Sequence, residues 1–186
     1  MGQEHALDFR RLRCGMPEKK LTGGGNDLFE SREMQDGQGE KHYRAVIVIV
    51  FGVSGAGKTT VGKLLARELG WRFIEADDFH PTLNIEKMRS GHPLKDDDRW
   101  PWLERLREQI EHSLAAGENT VLACSALKRA YRDRLRISDE TRFVFLRGDY
   151  ALIEKQLRSR HGHFMNPALL QSQFTDLEEP QADETS

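Results

Sequence analysis

Apolar residues change their spacing close to residue 45, and from there strand-like and helix-like stretches alternate along the chain. The run from Ala45 to Phe51 is continuously apolar and rich in β-branched residues, which is typical of a parallel strand covered on both faces. Residues 59–69 instead place their apolar side chains on one helical stripe, and Gly70 is suited to end that helix. Three later stretches predict further strands: WRFIE at 71–75, TVLAC at 120–124 and RFVFLRG at 142–148.

The segments between these strands show the spacing of helices. A short helix is expected at 83–91, and a long amphipathic one at 98–117 tolerates Pro101 only because that residue would lie in the first turn. Further helices are expected at 126–136 with Ser125 as a candidate N-cap, from Asp149 as N-cap through Arg160, and from Asn166 and Pro167 onward. Strands that alternate with helices predict an α/β fold with an open parallel sheet and right-handed crossovers.

Residues 1–43 differ from the rest of the chain. They mix glycine, charged and amide residues without a sustained period, and such a stretch buries too little apolar surface to offset the entropy of ordering it. We therefore predict a disordered extension over 1–43, followed by one domain over 44–186. An organelle address is the alternative for the arginine-rich start, but Glu4 and Asp8 disfavour it because such addresses avoid acidic residues.

Composition narrows the classes of function. The 186 residues carry a formal net charge of -2, which argues against a general nucleic-acid or membrane-surface binder. The longest apolar run, from Ala45 to Val53, is too short to span a bilayer. Cys14 and Cys124 lie far apart, and Cys124 ends an apolar run, which favours a buried thiol and a reducing compartment.

The stretch GVSGAGKTT at 52–60 predicts a loop that binds the phosphates of a nucleotide. It satisfies G-x-x-x-x-G-K-[ST] between a predicted buried strand and an amphipathic helix. Its glycines bring backbone N–H groups up to the phosphates, and the helix N-terminus adds partial positive charge. We expect Lys58 to act catalytically on the β- and γ-phosphate oxygens and Thr59 to bind Mg²⁺. The residues predicted to bind ATP are Gly52, Val53, Ser54, Gly55, Ala56, Gly57, Lys58, Thr59 and Thr60.

Acidic residues near this loop separate kinases from other users of nucleotides. The guanine-reading N-K-x-D of a GTPase is absent, and the third predicted strand ends in LACSALK without the acid that a motor ATPase would place there. The second strand instead ends in EADD at 75–78, and the carboxyl ends of parallel strands gather ligands. We expect Glu75 to hold Mg²⁺ through water, Asp77 to accept a proton from an acceptor hydroxyl, and Asp78 to cap the next helix.

Five segments identify the acceptor class by resemblance. They are GVSGAGKTTVGKLLA, ADDFHPTLNIEKMRSGHPLKDDDRWPWL, VLACSALKRAYRDRLR, GHFMNPALLQSQFTDLEEP and ADET. In this order, from about residue 46 to the end, they resemble the gluconokinase family, relatives of shikimate kinase. The resemblance implies a P-loop three-layer open parallel sheet of nucleoside-monophosphate-kinase type. It also implies Mg²⁺- and ATP-dependent phosphorylation of D-gluconate at the 6-hydroxyl, a cytoplasmic location and a homodimer.

The resemblance also assigns roles to individual residues. Asp77 would contact the 6-hydroxyl of gluconate, and His80 and Arg99 would line the sugar-acid pocket. Lys128 and Arg132 are four residues apart on a predicted helix and would point toward the carboxylate or the transferred phosphate; the alternative is a solvated basic face. RSRHGHFM, which begins at Arg158, resembles the lid of these kinases. Either Arg158 or Arg160 would then neutralise charge on the transferred phosphoryl group, and a basic helix end is the alternative reading.

Two departures from the family pattern qualify this picture. Glu75 stands where the family usually has Asp. Relatives also continue past LEEP and ADE into one more strand and a closing helix, so we expect the chain to lack them and the fourth strand to be an exposed edge with Phe143, Val144 or Phe145 partly uncovered. A catalytically impaired form that binds phosphates or pairs with a full-length partner is therefore one alternative, with marginal stability and weak ATP binding. A kinase of a related small acid or polyol is another.

Overall fold

Four parallel strands form the central sheet of the computed structural model, which describes residues 33–35, 41–43, 45–159 and 169–184. These four strands are β3 (Ile47–Phe51), β4 (Arg72–Glu75), β5 (Thr120–Cys124) and β6 (Thr141–Phe145), and a separate pair consists of β1 (Glu33–Gln35) and β2 (Lys41–Tyr43). The helices are α1 (Lys58–Leu69), α2 (Thr82–Arg89), α3 (Asp96–Ala115), α4 (Arg129–Leu135), α5 (Tyr150–Ser159) and α6 (Leu170–Asp176). Short 3₁₀ turns cover Ala76–Phe79 and Ala182–Glu184.

The strand order β4-β5-β3-β6 explains where a ligand site forms. The chain passes from β3 across β5 to reach β4, and from β5 across β3 to reach β6. The connections therefore leave the neighbouring strands β3 and β5 in opposite directions. In an open parallel sheet a crevice forms at the carboxyl ends of such a strand pair. The loops that follow β3 and β5 are thus placed to build the site.

Helices cover both faces of the sheet, which confirms the predicted three-layer α/β fold. Alternate residues of β3 point to opposite faces. Ile47, Ile49 and Phe51 pack with the apolar side of α3, whereas Val46, Val48 and Val50 pack with α1. Every residue of β3 and β5 is buried, as a parallel strand covered on both faces requires. Cys124 is a buried free thiol, as predicted, and burial raises its pKa to about 12.

Strand β6 is one edge of the described sheet, because it pairs with β3 alone among the strands described. Phe143, Val144 and Phe145 are half-buried, in contrast to the fully buried β3. The prediction of a partly uncovered fourth strand is confirmed for these three side chains. Within the described ranges, no helix is both long enough and apolar enough to cross a membrane.

Two predictions of local structure are wrong. Pro101 lies inside α3 rather than in its first turn, because the helix already begins at Asp96. Asp96 and its acidic neighbours favour a helix start there, and Asp98 accepts the backbone N–H of Lys95, which is the N-cap. Ser125 is not an N-cap, since α4 begins only at Arg129.

The predicted first residues of the last two helices have different outcomes. The Leu152 N–H donates to Asp149 Oδ1 at 3.1 Å, which confirms Asp149 as the residue that caps α5. Asn166 and Pro167, predicted to start the last helix, lie outside the described residues. In the segment predicted to be a disordered extension, the structure describes β1 and β2, which pair antiparallel. The other residues of 1–43 lie outside the described residues.

Candidate active site

The loop between β3 and α1 has the backbone that the phosphate-binding pattern predicts. Gly52 has φ 143°, and a Cβ there would lie 2.7 Å from the carbonyl oxygen of Leu146. Gly57 is the N-cap of α1 with φ 93°, a left-handed conformation that a residue with a Cβ adopts only at a cost. The first turn of α1 contains no acidic side chain. Its N–H groups are therefore suited to an anion.

Lys58 and Thr59 begin α1 beside this loop. The Lys58 ammonium donates to the Val53 carbonyl oxygen at 3.1 Å, which draws the side chain back over the loop. The Thr59 hydroxyl donates to Glu75 Oε2 at 2.7 Å, so the lone pairs of its oxygen remain for a cation. Burial raises the pKa of Glu75, the Thr59 hydrogen bond opposes this, and the charge of Asp77 raises it further.

These two groups fit Mg²⁺ better than a metal enclosed by protein ligands. Among the residues that the structure describes, no group of three or more His, Cys, Asp or Glu side chains is placed to hold a metal ion. Mg²⁺ commonly keeps several waters and binds one or two protein groups together with substrate phosphates. A hydroxyl with a carboxylate behind it, next to a phosphate loop, matches that requirement.

A cleft opens between the phosphate loop, the end of β4, the start of α3, the end of β5 and α6. It brings together five of the predicted site residues: Ser54, Lys58, Asp77, His80 and Arg99. The other lining residues are Met88, Pro93, Leu94, Trp102, Ser125, Leu127, Leu169, Ser172 and Gln173. A cation, a carboxylate, an imidazole and a guanidinium thus face one space beside the phosphate loop.

His80 is held as a neutral imidazole. Its ring stacks on Trp102 with 4.3 Å between centroids, and the Trp102 indole N–H donates to the Ala76 carbonyl oxygen at 2.8 Å. Burial lowers the pKa of His80 to about 4, and the nearby charge of Arg99 lowers it as well. Its Nδ1 is buried without a hydrogen-bond partner among the described residues. At neutral pH this ring is therefore a hydrogen-bonding group and not a cation.

Arg99 belongs to a network at the rim of the cleft. Its guanidinium donates to the Tyr131 hydroxyl at 3.3 Å and to Asp176 Oδ2 at 3.1 Å. Asp96 accepts from both Tyr131 and Lys128, and the Lys128 Nζ lies 2.7 Å from Asp96 Oδ1. Those hydrogen bonds hold the pKa of Asp96 below its usual value. Lys128 is not among the described residues that line the cleft, and its hydrogen bond to Asp96 connects it to this network.

Lys128 and Arg132, predicted to point together toward the substrate, have different partners in the structure. Lys128 is the N-cap of α4, and its side chain pairs with Asp96. The Arg132 side chain is 1% exposed and donates through two nitrogens to Glu184, at 2.6 and 2.9 Å. It also donates to the carbonyl oxygens of Ala126 and Leu127, behind the cleft wall. Arg132 is thus a buried cation paired with Glu184, and it is not among the residues that line the cleft.

Several residues at the site were missed from the sequence. Gln173 accepts the backbone N–H of Ser54 at 2.6 Å, Asp176 pairs with Arg99, and Glu184 pairs with Arg132. Each lies far along the chain from its partner, so no local spacing marks it. The only available signal was their inclusion in segments with a family resemblance.

Three further predicted site residues are either exposed or not described in the structure. Thr60 is exposed on α1. Arg158 lies in α5, but its side chain is not described, and Arg160 lies outside the described residues together with most of the predicted lid.

Comparisons with known proteins agree with the fold and the cleft. Residues 47–173 match the family model described as an AAA domain. A probable gluconokinase of Xenopus tropicalis is 46% identical and covers 75% of this chain and 82% of its own. The thermosensitive gluconokinase of Escherichia coli K12 is 50% identical over 73% of both chains. The unliganded crystal structure of a sugar kinase from Janibacter sp. HTCC2649 is 46% identical, with a TM-score of 0.72, and covers 76% of this chain and 82% of its own.

The similarity extends beyond the phosphate loop, because the family model matches residues 47–173, a range that includes β4, α3 and β5. Identities of this size over about three quarters of the chain go well beyond a common fold. The chain therefore belongs to the gluconokinase family of P-loop kinases.

Proposed function

We propose that this protein transfers the γ-phosphoryl group of ATP to the 6-hydroxyl of D-gluconate and releases ADP and 6-phospho-D-gluconate. The observation that carries the proposal is the single cleft in which Lys58 of the phosphate loop faces Asp77, His80 and Arg99. The gluconokinase relatives support gluconate as the acceptor, with 43–50% identity. Family membership and the loop geometry support ATP as the donor.

The reaction forms one bond and breaks one. The 6-hydroxyl oxygen bonds to the γ-phosphorus while the bond to the β–γ bridging oxygen breaks, and its electrons stay on ADP. Asp77 orients the hydroxyl and accepts its proton as the new bond forms. Lys58 and the N–H groups of the loop stabilise the charge that shifts toward the β-phosphate. The chain thus works mainly by positioning and by fixed charges.

The acceptor is a polyol with one carboxylate, and the cleft offers a partner for each kind of group. Arg99 supplies a cation for the carboxylate, because a guanidinium binds carboxylates with two parallel hydrogen bonds. Neutral His80 is suited to a hydroxyl, and its buried Nδ1 lacks a partner among the described residues. Lys128, which shares Asp96 with Tyr131 of the same network, adds positive potential at the rim.

Thr59 and Glu75 would hold Mg²⁺, Thr59 directly and Glu75 through water. When bound, Mg²⁺ supplies charge neutralisation for the phosphate oxygens. A cation there favours the ionised form of Glu75, which burial disfavours in its absence. Arg158 or Arg160 adds a further charge from the predicted lid, as an arginine supplied in cis. We also infer a cytoplasmic location and a homodimer, which rest on the family resemblance.

The test of this function is ADP release, measured with a coupled assay on the 186-residue chain. We expect release that depends on gluconate, with shikimate and a no-acceptor sample as controls, and a product that comigrates with 6-phospho-D-gluconate. Equal ADP release with and without gluconate would reject the acceptor and favour hydrolysis.

Arg99→Ala is expected to raise the KM for gluconate by roughly ten- to hundredfold, the value of a lost charge-assisted hydrogen bond. The KM for ATP should change little, because Arg99 contacts Tyr131 and Asp176 rather than the phosphate loop. Steady-state kinetics with each substrate varied in turn measures the split. Arg89→Ala removes an exposed arginine at the end of α2 and serves as the control. An unchanged KM for gluconate would show that Arg99 does not bind the acceptor and has only a structural role.

A further inference from the structure

Helix α6 contacts both ends of the cleft. Gln173 Oε1 accepts the Ser54 N–H at 2.6 Å, and both residues are 8% exposed. At the end of the same helix, Asp176 pairs with Arg99 at 3.1 Å. One short helix therefore contacts the loop for the donor phosphates and the arginine proposed for the acceptor. Neither contact is implied by the phosphate-loop pattern itself.

The bond between Gln173 and Ser54 matters because the loop is rich in glycine. Gly55 and Gly57 both have left-handed backbone angles, and glycine loses the most conformational freedom on ordering. The loop acts through N–H groups that must point at the phosphates together. A restraint from outside the loop orders it in advance, and this reduces the entropic penalty of phosphate binding.

The helix that carries Gln173 is itself well anchored. Leu170 packs in an apolar cluster with Val53, Leu127 and the α5 residues Ile153 and Leu157. Directly after α6, the Glu178 N–H donates to the Leu127 carbonyl oxygen at 2.9 Å. Gln173 thus transmits the position of a packed helix to the loop.

We propose that Gln173 is a positioning residue for phosphoryl transfer, which holds the Ser54 amide so that the phosphate loop is ordered before the nucleotide arrives. It acts through Ser54 and needs no contact with the nucleotide. The inference rests on the proposed function in that it takes gluconate as the acceptor. The ordering of the phosphate loop itself concerns the phosphates of the donor nucleotide.

The test uses Gln173→Met, which keeps the length of the side chain and removes the amide oxygen. Gln171→Met is the matched control, since Gln171 is exposed on the same helix. We expect Gln173→Met to raise the Kd of Mg-ATP, and the inhibition constant of inorganic tripolyphosphate, by roughly tenfold, as loss of a buried hydrogen bond implies. The KM for gluconate should stay within about twofold and the control at its wild-type values.

Calorimetry of Mg-ATP without gluconate keeps this inference separate from the proposed function. A chain that binds Mg-ATP but does not phosphorylate gluconate would overturn the function and leave the Gln173 comparison intact. Unchanged Mg-ATP and tripolyphosphate affinities in Gln173→Met would overturn the positioning role, as would an equal rise in both KM values. If the variant does not fold, NMR on the unaltered chain decides. A scalar coupling between the Ser54 amide nitrogen and the Gln173 side-chain carbonyl should persist on ADP binding, and its loss would overturn the inference.

Discussion

Asp77→Asn is expected to lower kcat by roughly 10²- to 10⁴-fold, the usual contribution of a positioned general base. Asparagine keeps the shape of the side chain and can still accept a hydrogen bond, but it cannot take the proton of the acceptor hydroxyl. Asp77 follows β4 and lines the cleft opposite the phosphate loop, next to His80 and Arg99. The affinity for ATP should remain close to that of the unaltered chain, so that kcat and kcat/KM fall together.

The neighbouring Asp78 provides the control for this experiment. Asp78 lies in the same 3₁₀ turn but is exposed and does not line the cleft, so Asp78→Asn should keep near-normal kcat. Steady-state kinetics and calorimetric Mg-ATP binding on both variants measure the difference. Loss of Mg-ATP binding in Asp77→Asn, with gluconate affinity unchanged, would assign Asp77 to the metal site instead. Similar kcat values for both variants would remove Asp77 from catalysis.

Glu184→Gln is expected to lower the free energy of unfolding by about 3–5 kcal/mol, because it leaves a buried cation without its counter-charge. The Arg132 and Glu184 side chains are 1% and 5% exposed and are joined by two hydrogen bonds. The whole stability of a domain is roughly 5–15 kcal/mol, so this loss would dominate the unfolding curve. It would also loosen the loop carbonyls of Ala126 and Leu127, which Arg132 holds behind the cleft.

Urea unfolding of Glu184→Gln measures this loss, with Asp183→Asn as the matched control. Asp183 pairs with Arg129 at 2.8 Å, but both side chains are about half exposed, so solvent screens the pair and its removal should cost little stability. Arg132→Met combined with Glu184→Gln should recover part of the loss, because the unpaired buried charge is then gone. Equal effects of the two single substitutions at 184 and 183 would contradict the buried ion pair.

The same ion pair predicts the pH dependence of stability. Burial by itself raises the pKa of Glu184, but the hydrogen bonds from Arg132 and the Gln181 amide outweigh it and hold the pKa below the usual 4.5. Since the folded pKa is below the unfolded one, the stabilisation is present above pH 4.5 and is lost as the pH falls through the folded pKa. The gap in unfolding free energy between the unaltered chain and Glu184→Gln should therefore narrow in acid. A gap that stays constant down to the acid transition would contradict this assignment.

Predictions from local spacing were correct where neighbours in sequence decide the structure. The buried strand β3, the phosphate loop and the cap of α5 by Asp149 depend on residues within a few positions of each other. The Pro101 prediction failed for a local reason, because α3 already begins at Asp96, whereas the start of α4 depends on a distant partner. Helical spacing placed Lys128 and Arg132 on one face, yet the helix begins only at Arg129, whose backbone N–H donates to Glu178 at 2.6 Å. Residues after α6 therefore decide where α4 starts.

The sequence by itself determined the phosphate loop, because a strand, a glycine-rich turn and a helix follow one another within about twenty residues and need no partner to be recognised. The alternation of strands and helices predicted the α/β class, and five segments along the chain carried the family resemblance. It also placed Asp77 near that loop, since carboxyl ends of parallel strands meet, and the family resemblance added His80 and Arg99, which line the same cleft. Only the tertiary structure decided that Arg132 is buried against Glu184 and that Gln173 holds the Ser54 amide. Burial and hydrogen-bond partners of a polar side chain are set by segments 50 to 120 positions away. An arginine in a basic helix can face solvent, a substrate or a buried carboxylate, and only the tertiary packing around it determines which.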